Sequence, residues 1–254
     1  METRKPSRTD RLRRRFSIII PVLNEADVIN PMIDHLEALE SGDECEFIVV
    51  DGSPDGDTIK AVRRGEIRCL KSPRGRASQM NAGAAAATGE ILIFLHADTR
   101  LPRKALKLIN QSLNHQALIG GAFDLRIGAE RPIFEIISRI ASLRSRLTRI
   151  PYGDQAIFIR RGYFNQIGRY PEIPLMEDVA LMRRIKKAGG RICFIPEPVV
   201  ASARRWEREG ILRATLRNWL LLIGFYLGVA PDKLAKYYRS GKDGCKIFKG
   251  WISG

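Results

Sequence analysis

The sequence predicts an α/β protein whose mostly parallel central sheet is flanked by helices. In the first half of the chain, short apolar runs alternate four times with stretches of helical periodicity, as expected for βαβ units. The run over residues 91–95 is apolar at every position and follows Gly89. It is too short for a lone helix, and this pattern is typical of a strand buried on both faces. Right-handed crossovers then bring the strand ends to one edge of the sheet.

Each further element rests on a local pattern. Apolar residues at helical spacing indicate a helix after the first strand, and clusters of Gly, Pro and Asp mark the loops. The predicted strands are residues 16–21, 46–50, 67–70, 91–95, 118–127, 156–159 and 191–196. The predicted helices are residues 28–39, 58–64, the alanine-rich segment before Gly89, 102–113, 133–147, the segment ending at Ala188, and 207–238.

The chain is expected to have three parts. We predict a basic, flexible tail over residues 1–15, a main α/β domain over 16–206 and a C-terminal amphipathic helical extension over 207–254. Within the extension, residues 219–230 are almost wholly apolar. That run is shorter than the roughly 20 residues of a membrane-spanning helix. The helix therefore either packs on the domain or lies in the plane of a membrane surface.

Composition limits the partners and the compartment. The formal net charge of +15 and the sequence pI of about 10.1 indicate an anionic partner, which could be nucleic acid, lipid headgroups or a phosphorylated small molecule. The four cysteines are scattered without metal-site spacing, which favours a reduced, cytoplasmic environment. Residues 1–15 lack the apolar segment of a secretory signal.

Polar side chains lie where the predicted parallel strands end. Asp51 and Asp98 each follow an apolar run, and two carboxylates at one edge would repel an anionic ligand unless a cation intervened. Mg²⁺ or Mn²⁺ suits this place, because these ions bind one or two carboxylates together with substrate phosphates. Asp51 could instead accept hydrogen bonds from a base or ribose, while Arg74 and Arg76 could bind phosphate. The alternative for Asp98 is to cap the following helix.

Glu177 and Asp178 form a second candidate group at a predicted helix start. Acidic residues in a first turn commonly stabilise the helix dipole. The functional alternative is that Asp178 is a general base that takes a proton from an acceptor hydroxyl. The sequence itself leaves both interpretations open.

Two other classes of protein are disfavoured. A dinucleotide-dependent oxidoreductase needs a glycine-rich turn after its first strand, and residues 21–26 contain no glycine. A nucleic-acid-binding module remains an alternative because of the charge. However, the basic residues are spread along the chain without a recognition motif, so no specific nucleic acid is expected.

The motifs, taken in order, resemble those of the family 2 inverting glycosyltransferases, which have a GT-A fold. The resemblance covers residues 16–206 and rests on residues 17–25, 50–53, 75–83, 95–98 and 177–178. Three shorter motifs, His-Ala-Asp-Thr, Tyr-Gly-Asp-Gln and Ser-x-x-Arg-Arg-Trp, resemble a small bacterial subgroup with His-Ala-Asp in place of Asp-x-Asp. His96 stands where the first Asp is usual, which would leave the metal to Asp98. Ser202 stands where a Gln is usual, so a processive polymerase is not expected.

The resemblance implies a role for each matching residue. Asp51 would contact the nucleotide base, and the loop containing Pro21, Asn24 and Glu25 would line the same pocket. Arg76 would lie near the base or diphosphate, Asp98 would bind the metal and Asp178 would be the catalytic base. Arg205 and Trp206 would lie near the acceptor or diphosphate. The other predicted substrate-binding residues are Arg74, Asn81, His96, Ala97, Asp154 and Glu177.

Together these features predict an inverting transfer of a single sugar from a nucleotide-diphosphate sugar, a UDP-sugar by the resemblance, to a hydroxyl acceptor. The reaction would be assisted by Mg²⁺ or Mn²⁺. A nucleotide-binding protein of the same fold without transferase activity is the alternative within the family. The charge and the apolar run over 219–230 also suggest attachment to the inner membrane surface, with a lipid-linked acceptor.

Overall fold

The computed structural model describes residues 15–240, and within them it contains an eight-stranded sheet with helices on both faces. The strands are β1 Phe16–Val22, β2 Cys45–Asp51, β3 Arg68–Lys71, β4 Ile91–Phe94, β5 Thr99–Arg100, β6 Leu118–Gly128, β7 Phe158–Arg160 and β8 Arg191–Ser202. The helices are α1 Ala26–Glu37, α2 Asp57–Ala61, α3 Arg76–Ala86, α4 Ala105–Leu113, α5 Pro132–Thr148, α6 Arg161–Gln166, α7 Glu177–Lys187, α8 Arg204–Glu209, α9 Ile211–Tyr226 and α10 Pro231–Ser240.

The strand order is β3-β2-β1-β4-β7-β6-β8-β5. β1 pairs in parallel with both β2 and β4, β2 pairs in parallel with β3, and β6 pairs in parallel with β8. β7 joins the two halves through antiparallel pairs with β4 and β6, and β5 is antiparallel to β8. The predicted α/β architecture with a mostly parallel sheet flanked by helices is confirmed.

Both faces of the sheet are buried, which explains the continuous apolar runs. Ile18 and Ile20 of β1 belong to a core that includes residues of α1 and α4. Ile19, between them, belongs to the opposite core, which includes residues of α3, α6 and α7. Because side chains alternate across a strand, a strand covered on both faces has apolar residues at successive positions, and its polar residues gather at its ends.

The eighth strand is longer than the sequence predicts. The pattern ends this strand at Pro196, because proline cannot donate to the ladder. In the structure β8 continues to Ser202, and a register shift opposite Phe123 and Asp124 accommodates the proline-containing stretch as a bulge. This extension carries Ser202 to the loop between β4 and β5, where its backbone N–H donates to the carbonyl of Asp98 (3.0 Å). β5 and α6 are two further elements that the sequence pattern did not predict.

The C-terminal part consists of α8, α9 and α10 instead of one helical stretch over 207–238. Gly210 and Gly228 separate these helices, and both have a φ of 86°, a conformation that favours glycine. α8 begins at Arg204, so the predicted boundary after residue 206 falls inside a helix. Within residues 15–240, no helix combines the length and apolar character needed to cross a bilayer. The predicted tail over 1–14 and the end of the extension over 241–254 lie outside the described residues.

Candidate functional site

The loops after β1, β2 and β4 are connected by hydrogen bonds and ion pairs. Asp51 accepts a hydrogen bond from the backbone N–H of Thr58 (3.0 Å), and the Thr58 hydroxyl accepts one from the backbone N–H of Glu25 (3.0 Å). The guanidinium of Arg204 lies 3.6 Å from the carboxylate of Glu25 and 3.8 Å from that of Asp98. The ends of β2 and β4 are therefore linked through the loop after β1.

Asp51 is turned into the loop that follows it. Its side chain is completely buried, and its carboxylate accepts hydrogen bonds from the backbone N–H groups of Ser53 (2.8 Å), Thr58 (3.0 Å) and Ile59 (3.2 Å). The last two N–H groups belong to the first turn of α2 and would otherwise lack a helical partner. Asp51 thus holds the loop in shape, and its contact with a nucleotide base stays a prediction.

Asp98 is the accessible carboxylate of this edge, with 39% of its side chain exposed. The alternative in which Asp98 caps the following helix is wrong, because α4 begins at Ala105 with Lys104 as its N-cap residue. Burial raises the pKa of the neighbouring Glu25, Arg204 opposes that shift, and the charge of Asp98 adds to it. The long contact between Asp98 and Arg204 leaves the Asp98 carboxylate accessible to a ligand.

Asp178 is held by two short hydrogen bonds at the start of α7. One carboxylate oxygen accepts from the backbone N–H of Gly153 (2.7 Å), and the other accepts from that of Val179 (2.7 Å). The position in the first turn also suits the helix dipole, so both sequence-based interpretations agree with it. The bond to Gly153, which lies in a separate turn before β7, is the feature that fixes the direction of the carboxylate.

The charge of Arg76 interacts with both groups of carboxylates. It begins α3 and is exposed. Desolvation by the surrounding protein opposes its charge, but the negative charges of Glu177, Asp178 and Asp98 outweigh this effect and raise the pKa of Arg76. Because the same guanidinium is influenced by all three, the predicted metal ligand and the predicted base border one crevice.

His96 lies in the same crevice. Burial, together with the positive charges of Arg76 and Arg205, lowers the pKa of His96 well below its usual value. The imidazole is therefore neutral near pH 7, with one nitrogen as a donor and the other as an acceptor. A Cβ atom at Gly153 would lie 2.9 Å from His96 Nε2 and 3.4 Å from Asp178 Oδ2. Gly153 thus separates the histidine from the candidate base, with no room for a side chain.

This close approach predicts that Gly153→Ala lowers the free energy of unfolding by about 1–3 kcal/mol and reduces sugar transfer, because the new methyl group displaces His96. Gly162→Ala is the matched control, since nothing lies within 4 Å of the corresponding Cβ position in α6. The control should leave stability unchanged or raise it by up to about 1 kcal/mol. Chemical denaturation and an activity assay measure both effects. Wild-type stability and activity in the Gly153 variant would contradict the packing described here.

Two more carboxyl groups in the crevice have raised pKa values. Burial raises the pKa of Glu177 to about 7, with a further contribution from the charge of Asp178 and opposition from Arg76. Burial also raises the pKa of Asp154 to about 6, although Arg144 opposes the shift. Several acids with perturbed pKa values in one crevice are typical of a functional site.

The remaining predicted residues differ in where they lie. Arg205 borders the crevice, because its charge acts on both His96 and Asp154. Pro21 is half-buried in β1, and Asn24 is exposed with a φ of 56°, where the chain turns from β1 into α1. Ala97 is buried.

Three predicted residues are not brought into the crevice by any described contact. The Asn81 amide bonds to the backbone N–H and carbonyl of Tyr170 (3.1 and 2.9 Å), which fixes the segment before α7 to α3. The Trp206 ring packs edge-on against Phe134, with ring centroids 6.1 Å apart. Arg74 is exposed. Substrate contacts of these three residues stay predictions.

Sequence reasoning missed three residues of the site. Gly153 belongs to the Tyr-Gly-Asp-Gln motif, and a glycine beside a predicted site residue was a usable signal for close packing. Arg204 directly precedes Arg205, but only the extension of β8 brings it to Asp98. The ring of Tyr238 in α10 lies 5.3 Å from the Arg205 guanidinium, and no sequence pattern connects these residues.

A divalent cation fits this site only in combination with a ligand. Within residues 15–240, no three His, Cys, Asp or Glu side chains form a group that could hold an ion by themselves. The accessible carboxylate of Asp98 suits the mode in which Mg²⁺ or Mn²⁺ binds one carboxylate, substrate phosphates and water. Asp98 is thus the residue that would hold the metal, and the diphosphate would supply further oxygen ligands.

Comparisons with known proteins concern the family and the fold of the chain. A model of the family described as "Glycosyl transferase family 2" matches residues 17–171. The chain is 27% identical over 256 residues to a pre-mycofactocin glycosyltransferase of Mycobacterium tuberculosis (strain ATCC 25618 / H37Rv), covering 90% of this chain and 51% of that protein. It is 32% identical over 182 residues to a PGL/p-HBAD biosynthesis glycosyltransferase of Mycobacterium bovis (strain BCG / Pasteur 1173P2), covering 61% of this chain and 62% of that protein. The chain thus spans about half to two thirds of the length of these relatives.

The fold is also similar to a solved structure, the mannosyltransferase PcManGT from Pyrobaculum calidifontis in complex with GDP-Man and Mn²⁺. The TM-score is 0.60 with 24% sequence identity, and the match covers 82% of this chain and 64% of that one. This similarity concerns the fold alone, and it confirms the GT-A architecture that the sequence resemblance implies.

Proposed function

The chain belongs to glycosyl transferase family 2, whose model matches residues 17–171, and from this membership we propose that it is an inverting glycosyltransferase. It would move a single sugar from a nucleotide-diphosphate sugar, a UDP-sugar by the sequence resemblance, to a hydroxyl acceptor. Residues 16–206 would form the catalytic domain and 207–254 its extension. The His96-Ala97-Asp98 motif would place it in the small bacterial subgroup that carries this variant of Asp-x-Asp.

The observation that supports the proposal is that Gly153, which orients the Asp178 carboxylate, packs directly against His96, two residues before the accessible Asp98. A donor whose diphosphate reached Asp98 and Arg76 would have its sugar directed towards Asp178. The guanidinium of Arg76 can donate two parallel hydrogen bonds to phosphate oxygens. Because the Asp178 carboxylate is already oriented by Gly153 and Val179, it is prepared to accept a proton without rearrangement.

The reaction would proceed in one displacement. Asp178 takes the proton of the acceptor hydroxyl, and the hydroxyl oxygen forms a bond to the anomeric carbon on the face opposite the diphosphate. The bond between that carbon and the diphosphate oxygen breaks, and its electron pair leaves with the nucleotide. Arg76 and Arg205 would stabilise the negative charge that develops on the leaving group. A divalent cation bound at Asp98 would supply further charge neutralisation there.

A screen of donors tests this proposal. Thermal shifts of the full chain would be measured with UDP- and GDP-sugars, each with Mn²⁺, Mg²⁺ or a chelator. A stabilising donor is expected only with a metal present, and GDP-mannose is included because the similar structure PcManGT was solved with it. Donor binding without any sugar release would favour the alternative, a nucleotide-binding protein without transferase activity. Tight, salt-dependent binding to duplex DNA without donor binding would favour the nucleic-acid alternative.

The acceptor and the location belong to the same proposal. We take the protein to act in the cytoplasm, at the inner face of the membrane, on a hydroxyl acceptor that is lipid-linked. The net charge of +15 supports an anionic surface as a partner. Cell fractionation would test the location independently of the enzymatic reaction.

A further inference from the structure

The exposed apolar side chains are concentrated on α5 and α9. Within residues 15–240, every large hydrophobic side chain that is exposed lies on one of these two helices or, for Leu227, directly after α9. The members on α5 are Ile133, Ile136, Ile140, Leu143 and Leu147, and those on α9 are Leu212, Leu216, Trp219, Ile223 and Tyr226. Spacings of three and four residues place each set on one face of its helix. We call these two sets the apolar stripes.

The inward faces of these helices contain small and polar residues. In α5 the hydroxyls of Ser138 and Ser142 accept hydrogen bonds from β6 backbone N–H groups (3.0 Å each), and the Ser145 hydroxyl donates to Gln155 (2.6 Å). In α9 the buried residues are Ala214, Arg217, Leu221 and Gly224, and Leu222 and Phe225 also pack against the core. A surface helix normally has one apolar face, turned to the core, whereas α5 turns mainly serines inward and α9 is apolar on both its inward and its outward face. The core of this chain therefore does not account for the apolar stripes.

The two helices start and end near each other. At their N-terminal ends, Phe134 of α5 packs against Trp206, and Ile211 of α9 joins the same cluster. Towards their C-terminal ends, the guanidinium of Arg144 lies 3.3 Å from the centre of the Tyr152 ring. Tyr226 lies close enough to Tyr152 to add to the raised pKa that burial gives that phenol. The N-terminal ends of α5 and α9 thus meet in one cluster, and residues near their C-terminal ends both lie close to Tyr152.

The charges around the stripes indicate what covers them. Residues 131–149 contain five arginines and one acidic residue, Glu135, and residues 211–230 contain two arginines and no acidic residue. Five of these arginines are exposed, namely Arg131, Arg139, Arg146, Arg149 and Arg213, and two of the five form surface ion pairs, Arg139 with Glu135 and Arg146 with Asp124. A symmetric contact between two copies would bring this positive border against itself. Anionic lipid headgroups would neutralise it, and Trp219 and Tyr226 are suited to the boundary between headgroups and acyl chains.

We propose that the apolar stripes of α5 and α9, with their arginine border, form a surface that docks in the plane of an anionic lipid membrane. The surface adjoins the Tyr152–Gln155 turn, whose Gly153 binds Asp178. Docking would therefore bring the crevice close to an acceptor hydroxyl carried by the membrane. Only this last consequence rests on the proposed transferase function, since docking itself needs no sugar transfer.

Co-sedimentation of the full chain with lipid vesicles tests the proposal. With vesicles of phosphatidylcholine and phosphatidylglycerol at about 3:1, we expect binding at least about tenfold tighter than with phosphatidylcholine alone. The combined variant Leu216→Gln, Trp219→Gln and Ile223→Gln should weaken binding at least about 30-fold. A parallel variant, Ile136→Gln, Ile140→Gln and Leu143→Gln, keeps the test available if the first does not fold. Circular dichroism checks folding in both.

The contribution of the arginines is tested by the double variant Arg131→Gln with Arg213→Gln. It should weaken binding to the anionic vesicles and leave binding to phosphatidylcholine vesicles unchanged. The matched control is Lys60→Gln with Arg63→Gln, two exposed cations near β3 at the other edge of the sheet, and it should bind as the wild type does. Asp178→Asn should also bind vesicles as the wild type does. Loss of vesicle binding would therefore contradict the docking proposal, whereas loss of sugar transfer alone would concern the proposed function.

Three results would overturn the proposal. The first is unchanged vesicle binding by both folded stripe variants. The second is a dimer in sedimentation velocity that the stripe variants convert to monomer, because a second copy would then cover the stripes. The third is vesicle binding that appears only after removal of residues 241–254, because that segment would then be the occupant.

Discussion

Asp178→Asn is expected to lower the turnover number for sugar transfer by about 10³-fold, because the amide cannot take the proton of the acceptor hydroxyl. The amide oxygen can still accept the hydrogen bond from Gly153, so the turn before β7 should keep its position. Donor affinity should consequently stay within about threefold of the wild type. Single-turnover kinetics and nucleotide titration separate the two effects.

The control for this variant is Asp34→Asn, which makes the same chemical change at an exposed carboxylate of α1. Asp34 pairs with Arg64 on the surface, where an ion pair contributes little to stability. Its replacement should leave both turnover and binding unchanged. Normal turnover in the Asp178 variant would show that another group is the base, with Glu177 and Asp154 as the next candidates because of their raised pKa values.

Asp98→Ala is expected to remove the metal-dependent part of donor binding and to lower kcat/KM by about 10²-fold or more. Asp98 is the exposed carboxylate in the loop after β4, and its ion pair with Arg204 is long at 3.8 Å. Removing the Asp98 carboxylate should therefore change the free energy of unfolding little. A loss of donor binding or of kcat/KM would then reflect the missing metal ligand and not a destabilised fold. Thermal shifts with donor, in the presence of Mn²⁺ or a chelator, measure the effect directly.

Glu25→Gln is the matched comparison, because the Glu25 carboxylate contacts the same guanidinium nitrogen of Arg204 as Asp98 does. This variant should keep metal-dependent donor binding. The opposite ranking, with binding retained in the Asp98 variant and lost in the Glu25 variant, would move the metal to the loop after β1. Equal, metal-independent binding in both variants would indicate that arginines alone neutralise the diphosphate.

The first half of the fold follows from local patterns, whereas parts of the site do not. Residues 91–95 predict β4 because a doubly buried strand needs an apolar residue at every position, and the structure places β4 at Ile91–Phe94. Trp206 shows the opposite case. Its sequence motif suggests a place near the acceptor, but its ring packs against Phe134 of α5, a contact that depends on where two distant helices meet.

Asp51 and Gly153 illustrate the same difference at the site itself. The sequence predicts that Asp51 ends a strand, but the N–H groups of its own loop decide that the carboxylate is buried. In the sequence, Gly153 is one residue of the short Tyr-Gly-Asp-Gln motif. Its role becomes visible only when His96, from the loop after β4, and Asp178, from α7, are found beside it.

The sequence by itself determined the alternation of strands and helices and the strand-end positions of Asp51 and Asp98, because a strand covered on both faces excludes polar residues from its interior. Only the tertiary structure decided that Gly153 orients Asp178, that the charge of Arg76 acts on two groups of acids, and that α5 and α9 each leave a row of large apolar side chains exposed. These features depend on contacts between segments far apart in the chain, and no local pattern of residues specifies such contacts.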